Sequence, residues 1–492
     1  MNVLFLNPPS LKNEIFMKEI GRCGRKSVAG ELWPQTGLAY LAAIAIQLGH
    51  KAKIIDAMAT PIPLHSLLEL IRKENFDLII AHTSTPTFNN DKKIVSEIKK
   101  VSNAIIGFTG THTTVLPEDS LKQSEADFIL IGEAELTLKE LLLLLNTLKA
   151  EKNTVFDSQN LVSYASDQLK QINGLAFKSN NEIISTTPRE IYPDLDSFPF
   201  PARELLPNEK YIMPFFNRKP FVTIIPGRGC PYKCTFCRAG KVWGAKPRFR
   251  TPPNVIAEIK EVISKFNIRN IVFMTDALTL KRDWTIALIN EIIKDNLKFR
   301  WICNSRVDSV DIEMLKLMKK AGCELISYGV ESADQSILNN AKKNIKLEDS
   351  IKAIKLTRQA GIISLAYFII GLPGETEETI KETIRFAKQI NPDYVNFHIA
   401  TPFPGTEFYE YAKNNNLLIS DNWDDYEEEG SAVIRTETMT PEQLVKYQKY
   451  AMNSFYLRPK YILKELISIK SPSDLFAKLR AGINVIKKNI GL

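Results

Sequence analysis

The strongest constraint on this 492-residue chain is a strand–helix alternation that runs twice, in two blocks separated by a stretch dense in proline. Short apolar runs at 3–6, 52–55, 78–81, 104–108 and 128–131 read as strands, with helical patterns between them. Within 37–48, Leu38, Leu41, Ala42, Ala45 and Leu48 recur at helical spacing, and Gly49 suits the left-handed position that ends a helix. Such alternation builds a parallel sheet, so residues 1–150 are expected to form a doubly wound, Rossmann-like α/β domain. Ligands of these sheets bind beyond the carboxyl ends of the strands. Here those ends carry Asn7, Asp56, Thr83-Ser84-Thr85, Gly110-Thr111-His112 and Gly132-Glu133. Most are small or hydrogen-bonding residues, which lets a bulky, amide-rich ligand approach the backbone.

Residues 151–219 break the pattern. A hairpin is expected at 174–177 and 182–185, turning at 179–181. Pro188, Pro193, Pro199, Pro201, Pro207, Pro214 and Pro220 then predict a stiff, extended connector lying on the surface of its neighbours. Over 220–410 the alternation returns, with strands expected at 221–225, 271–274, 299–303, 325–330, 365–370 and 394–399. Six βα repeats suit a partial TIM-type barrel, whose chemistry sits at the carboxyl ends of its strands. Residues 411–492 read as mainly helical. Near their end Ser471-Pro472-Ser473-Asp474 starts a helix carrying Phe476, Leu479, Ile483, Ile486 and Ile490 among Lys478, Arg480, Lys487 and Lys488. That basic amphipathic helix either docks on the barrel or rests on an anionic membrane as a peripheral contact.

Composition narrows the class. Hydrophobic residues at 44% and charged residues at 24% are those of a globular protein. The first apolar run is too short for a signal peptide, and no stretch reaches the roughly 20 apolar residues of a membrane span. The expectation is a cytoplasmic protein with reduced cysteines. A net charge of +8 permits an anionic partner without demanding one, and nothing points to nucleic acid.

Half of the six cysteines lie in one loop directly after the first barrel strand: Cys230, Cys234 and Cys237, spaced C-x3-C-x2-C, with Phe236 before the third. A structural zinc site completes four ligands, often from a second C-x2-C pair; Cys303 and Cys323 show no such pairing, and none of the five histidines is near the loop in sequence. A cubane iron–sulfur cluster usually takes four thiolates, so three on one loop leave one iron open for chemistry.

This loop resembles the cluster loop of radical SAM enzymes. The resemblance implies a 4Fe-4S cluster held by Cys230, Cys234 and Cys237, whose open iron binds S-adenosyl-L-methionine and cleaves it to a 5′-deoxyadenosyl radical. The family often has a Gly-Gly-Glu run after the second strand to hold the SAM amino group; this chain has Met274-Thr275-Asp276-Ala277, and Asp276 takes part of that role. Asn304 and Arg306 follow the third strand, where Arg306 faces the SAM carboxylate or the substrate. Glu331 and Ser332 match the fourth strand, where a carboxylate binds ribose or the methionine amine. A purely structural Glu331 would instead need its own ion pair. Gly371 and Pro373 lie in Gly371-Leu372-Pro373-Gly374-Glu375-Thr376, which matches the segment packed against the SAM adenine; it lacks the Lys-Ser/Thr of a P-loop. Residues 401–406 also match.

Segments 34–56, 110–118 and 127–135 resemble the cobalamin-binding domain that precedes the barrel in one radical SAM subgroup, which contains methyltransferases and the anaerobic magnesium-protoporphyrin ester cyclase. The connector at 194–203 and the run at 455–459 resemble it too. The resemblance places cobalamin against Thr83, Ser84, Gly110, His112, Gly132 and Glu133. The Asp-x-His-x-x-Gly run that supplies a lower cobalt ligand elsewhere is absent, so a corrinoid without a histidine lower ligand is expected. The implied activity is hydrogen abstraction from an unactivated carbon of a small-molecule or lipid substrate, followed by methyl transfer from methylcobalamin. Radical cyclisation, ring contraction or rearrangement without methyl transfer is the alternative, and a non-enzymatic corrinoid or cluster carrier is a third. An electron donor such as flavodoxin or ferredoxin is implied. A tRNA methylthiotransferase would need three further cysteines in the first domain, which holds only Cys23.

Overall fold

The computed structural model describes residues 1–19, 24–27, 30–152, 161–179, 182–427 and 430–467. Two parallel sheets dominate it. The first is built from β1 (Asn2–Asn7), β2 (Lys51–Asp56), β3 (Leu78–Thr83), β4 (Ile105–Gly110) and β5 (Phe128–Leu130), with β6 (Leu175–Ser179) and β7 (Glu182–Ser185) at one edge. Its order is β2-β1-β3-β4-β5-β6-β7. The first five strands run parallel, and the hairpin β6–β7 joins antiparallel to β5. The expected hairpin is therefore present and extends this sheet, although its turn residues 180 and 181 lie outside the described residues. β3 is buried along its whole length, as a central parallel strand covered by helices on both faces must be. The helix Thr36–Gln47 covers one face with Leu38, Leu41 and Ala42, and Gly49 follows it at φ +79°.

The second sheet is the open barrel β8 (Val222–Ile224), β9 (Asn270–Phe273), β10 (Arg300–Ser305), β11 (Cys323–Glu331), β12 (Ile363–Ile370) and β13 (Tyr394–Ile399), all parallel and in sequence order. Side chains alternate across it. Ile271, Trp301, Cys303, Ile326, Phe368 and Phe397 pack outward against the helical layer. Val272, Ile302, Leu325 and Leu365 point to the other face and share an apolar cluster with the first domain.

The connector departs from expectation. It does not lie on the surface: Tyr211 and Phe216 are fully buried, and with Phe221 they join the cluster that contains both Leu38 and Ile302. The prolines break it into short 3-10 turns, Leu195–Ser197, Arg203–Leu205, Asn208–Lys210 and Pro214–Phe216, which let it fold into the gap between the sheets. A buried ion triad fastens it. Arg203 donates to Glu258 (2.5 Å), whose other oxygen takes Arg250. Burial pushes the Glu258 carboxyl up, but the two guanidiniums outweigh it and hold the group below the usual range.

Candidate active site

The three-cysteine loop leaves the barrel through Gly227–Arg228, which pairs antiparallel with Arg248–Phe249. Gly229 has φ +91°, and a side chain there would run into the carbonyl oxygens of Lys246 (2.5 Å) and Gly244 (3.1 Å), so the tight exit requires glycine. Backbone bonds then pin the loop: Cys230 N–H to Gly244 O (3.2 Å), Thr235 N–H to Ala341 O (3.0 Å) and Phe408 N–H to Thr235 O (2.9 Å). Cys230 and Cys234 are half-buried, and Cys237 is exposed. Phe236 packs on the barrel core.

Burial raises the Cys230 and Cys234 thiols above their ordinary value; Lys343 and Arg306 pull Cys234 back, while Asp276 pushes Cys230 further up. Iron must displace those protons, so the two cations favour loading. None of the three thiols is in a disulfide. Among the described residues, no three His, Cys, Asp or Glu side chains converge to hold a single metal ion. Three free thiols within one loop are a donor set that fits an iron–sulfur cluster with one iron left open.

Around the loop the expected residues fall into place unevenly. Asp276 lies close enough to Cys230 to act on its charge. Arg306 sits flat on the ring of Tyr232 within the loop, 3.4 Å from its centroid, and donates to Asp308 (2.9 and 2.8 Å) and to the carbonyls of Lys343 and Asn344. Its guanidinium braces the cysteine loop. Glu331 sits at a bulge in β11 with φ +70° and pairs with Lys343 (2.5 Å), both side chains nearly buried. The ion pair that a structural Glu331 needs is therefore present, and it lies beside Cys234. Lys343 carried no sequence signal, because it is twelve residues away across a helix. Asn304 is exposed on the concave face of β10, on the side of Ile302. Ser332 is buried and accepts from Asp334 N–H (3.2 Å). Gly371, at φ +95°, and Leu372 both donate their N–H groups to buried Glu375, whose carboxyl burial raises to about 8. Pro373 is half-buried in the same turn.

In the first domain the strand ends are tightly engaged. Asn7 Nδ2 and the Tyr211 hydroxyl both donate to Asp56. Thr83 and Ser84 are fully buried, with Gly24 against Ser84 and Lys18 Nζ donating to His82 O (2.8 Å) and to Asp91 (2.8 Å). At Gly110, φ +133°, a side chain would run into the Thr83 carbonyl oxygen, so the position requires glycine. His112 is fully buried, stacked on Phe88 (4.4 Å between centroids) and edge-on to Trp423 (5.1 Å). Burial, helped by Arg238, lowers its pKa to about 3, so the ring is neutral and fixed among aromatics. His82 is likewise held at about 3 by burial. Glu133 faces the barrel, paired with Arg248 and 3.5 Å from Arg228, which also binds Glu135 (2.5 Å). Arg228 lies against the rings of Tyr40, Phe198 and Trp243. A cavity of about 220 Å³ opens between Gly132 on the first sheet and Gly240, just past Cys237. Of the six residues expected at cobalamin, Gly132 and Glu133 line this opening between the sheet and the cluster loop, whereas Thr83, Ser84 and His112 are buried away from it and Gly110 is not on its lining. Arg228 and Arg238, which flank the cysteines, reach Glu135 and Thr85 of the first domain, contacts with no sequence signal because their partners lie 93 and 153 positions away.

An open parallel barrel with a three-thiol loop after its first strand, set against the ligand-binding ends of a doubly wound sheet, defines an enzyme that combines an iron–sulfur cluster with a second bound cofactor. Comparison with known proteins makes this specific. The model of the radical SAM superfamily matches residues 224–387, and that of the B12 binding domain matches 24–142. The chain is 34% identical to an uncharacterized methyltransferase of Pyrococcus horikoshii, over 90% of this chain and 92% of that protein. It is 30% identical to the anaerobic magnesium-protoporphyrin IX monomethyl ester cyclase of Cereibacter sphaeroides, over 82% of this chain and 65% of that protein. Its fold matches the cobalamin-dependent S-adenosylmethionine radical enzyme OxsB with a TM-score of 0.74, over 99% of this chain and 72% of that one, at 16% identity. The chain belongs to the cobalamin-dependent radical SAM enzymes, and its cofactors are a 4Fe-4S cluster, S-adenosylmethionine and cobalamin.

Proposed function

We propose that this enzyme methylates an unactivated carbon of a small molecule, with Cys230, Cys234 and Cys237 holding the cluster, residues 1–150 the corrinoid and 220–410 the barrel that receives S-adenosylmethionine. The observation that carries the reading is the three-thiol loop lying against the strand ends of the first domain, with a cavity between Gly132 and Gly240. When bound, the cluster supplies the electron that generates a substrate radical through S-adenosylmethionine, and the corrinoid supplies the methyl group. The chain's own residues position and shield. Lys343 and Arg306 offset the charge of the thiolates, Asp276 stands beside Cys230 where an amino group would be received, and Gly371 and Pro373 form the turn for the adenine. Methyl transfer is supported over cyclisation by identity: the methyltransferase relative is 34% identical over nearly its full length, whereas the cyclase of Cereibacter sphaeroides is 30% and that of Synechocystis 25% identical. Radical cyclisation without methyl transfer is the second reading, favoured by the cyclase relative.

The test uses anaerobically reconstituted protein given hydroxocobalamin, S-adenosylmethionine and reductant, beside a Cys230, Cys234, Cys237→Ala triple variant. Corrinoid in a one-to-one ratio, cysteine-dependent 5′-deoxyadenosine and a methylated product are expected. Deoxyadenosine formed without bound corrinoid would sink methyl transfer. The exposed thiol Cys237 supports access for an electron donor of the flavodoxin or ferredoxin type. The basic amphipathic segment 471–492 lies outside the described residues; the helix before it, Pro459–Ile467, exposes Ile462, Leu463 and Ile467, which supports a peripheral membrane contact. Among the described residues no helix is long and apolar enough to cross a membrane. Deleting 471–492 is expected to weaken liposome binding; unchanged binding would refute that contact.

A further inference from the structure

Arg238 directly follows the third cysteine, yet its side chain does not stay with the barrel. It is 1% exposed and crosses to the first domain, where its guanidinium donates to Thr85 Oγ1 (3.1 Å) and, at the limit of hydrogen-bond reach, to Thr111 Oγ1 (3.5 Å). Those threonines lie just past the carboxyl ends of β3 and β4, two adjacent strands at the centre of the first sheet. Thr85 Oγ1 is also 3.4 Å from His112 Nδ1, and His112 meets Trp423 edge-on. Trp423 packs on Tyr426, Tyr426 on Phe403, and the Phe403 ring lies 4.8 Å below the Arg238 guanidinium. The contacts close a ring running from the cluster loop through two strand ends of the first domain to the loop after β13 and back.

A buried guanidinium is a rigid, planar fork with fixed donor directions, so its two acceptors cannot shift without moving it. Arg238 is also joined to Cys237 by one peptide bond and is the N-cap of the turn Ala239–Val242, whose Lys241 and Val242 N–H groups return to its carbonyl. A displacement of Thr85 or Thr111 is therefore delivered to the backbone that carries the third thiol.

We propose that Arg238 is a positioning residue that couples corrinoid binding to the cluster loop, setting Cys237 according to whether the strand ends of the first domain are engaged. This rests on the cobalamin-dependent radical SAM reading and adds to it a named coupling element. Coupling between two binding events is reciprocal, so it is measurable without turnover. A filled cluster must tighten hydroxocobalamin by the same factor by which hydroxocobalamin tightens iron.

The experiment measures the dissociation constant for hydroxocobalamin, by visible titration, on cluster-loaded protein and on the same protein after iron chelation, in the parent, Arg238→Gln and Arg238→Lys. The parent is expected to bind about tenfold tighter when loaded, an ordinary size for such coupling. In Arg238→Gln the ratio should fall to about one, with Arg238→Lys between, since lysine keeps the charge but loses the fork. The same ratio in parent and Arg238→Gln, or a ratio of one in the parent, overturns the proposal. If Arg238→Gln does not fold, Thr85→Val with Thr111→Val removes the acceptors from the opposite side and must abolish the ratio alike. Failure of the parent to bind hydroxocobalamin at all would instead strike the cobalamin reading, an outcome distinct from binding without coupling.

Discussion

Replacing Lys343 with methionine tests the electrostatics of the cluster loop. Lys343 and Glu331 are 9% and 7% exposed in their side chains and stand 2.5 Å apart. Methionine keeps most of the lysine stem but strands the Glu331 charge. Losing one partner of a buried pair costs about 3–5 kcal/mol. Glu331 also sits at φ +70°, a conformation that costs a non-glycine residue about 1–3 kcal/mol and that the pair helps to hold. Lys343→Met should therefore lower stability by about 3–5 kcal/mol. Glu331→Gln with Lys343→Met removes both charges, and the double variant should lose about 2 kcal/mol less than the sum of the two single losses. Urea denaturation followed by tryptophan fluorescence reads this, since Trp284 and Trp301 lie in the barrel core. Lys343 is also the foremost cation opposing the rise of the Cys234 thiol, so iron retained after reconstitution should fall in Lys343→Met. Strict additivity of the two substitutions would refute the reasoning, because it would mean the charges do not see each other.

Other perturbations follow the same logic. Gly110→Ala should abolish hydroxocobalamin retention and lower the melting temperature, because the new methyl group meets the Thr83 carbonyl at φ +133°; normal binding and stability would refute the close approach. Glu258→Ala strands Arg203 and Arg250 and should cost about 3–5 kcal/mol in urea denaturation; a loss below about 1 kcal/mol, the range of an exposed pair, would contradict the buried triad. Burial raises the Glu375 carboxyl to about 8, so the folded state keeps a proton that the unfolded chain releases near its ordinary carboxylate value. Its contribution is full below about pH 4.5 and is lost as pH rises toward about 8, with a slope of at most about 1.4 kcal/mol per pH unit. Glu375→Gln should flatten that decline in a pH series of urea midpoints, and an unchanged profile would refute the assignment.

The sheets were legible because their signal is local. Every strand of both sheets lies within two or three residues of its apolar run, and β13 spans the expected 394–399. The cysteine loop was legible because its three thiols lie within eight residues. What was hidden depends on partners distant in sequence. Glu133 reads as a strand-end residue, but Arg248, 115 positions on, takes its carboxylate. The connector reads as surface chain from its prolines, but Tyr211 and Phe216 give it an apolar edge that only the assembled sheets can bury. Glu331 could be weighed against its need for an ion pair, yet no pattern pointed to Lys343, since a bulge and a positive φ set that pairing.

The apolar cluster that contains Leu38, Phe216 and Ile302 belongs to neither half of the molecule. Cutting the chain between its two sheets would leave Val272, Ile302, Leu325 and Leu365 facing water. At about 1.5–3 kcal/mol for each large apolar side chain, that penalty is comparable to the whole stability of an ordinary domain. The corrinoid module is thus not a detachable accessory that could be traded between barrels. Any lineage or engineer exchanging one half must redesign the seam with it, so variation in what the enzyme acts upon is channelled to the loops at the strand ends and away from the partnership itself.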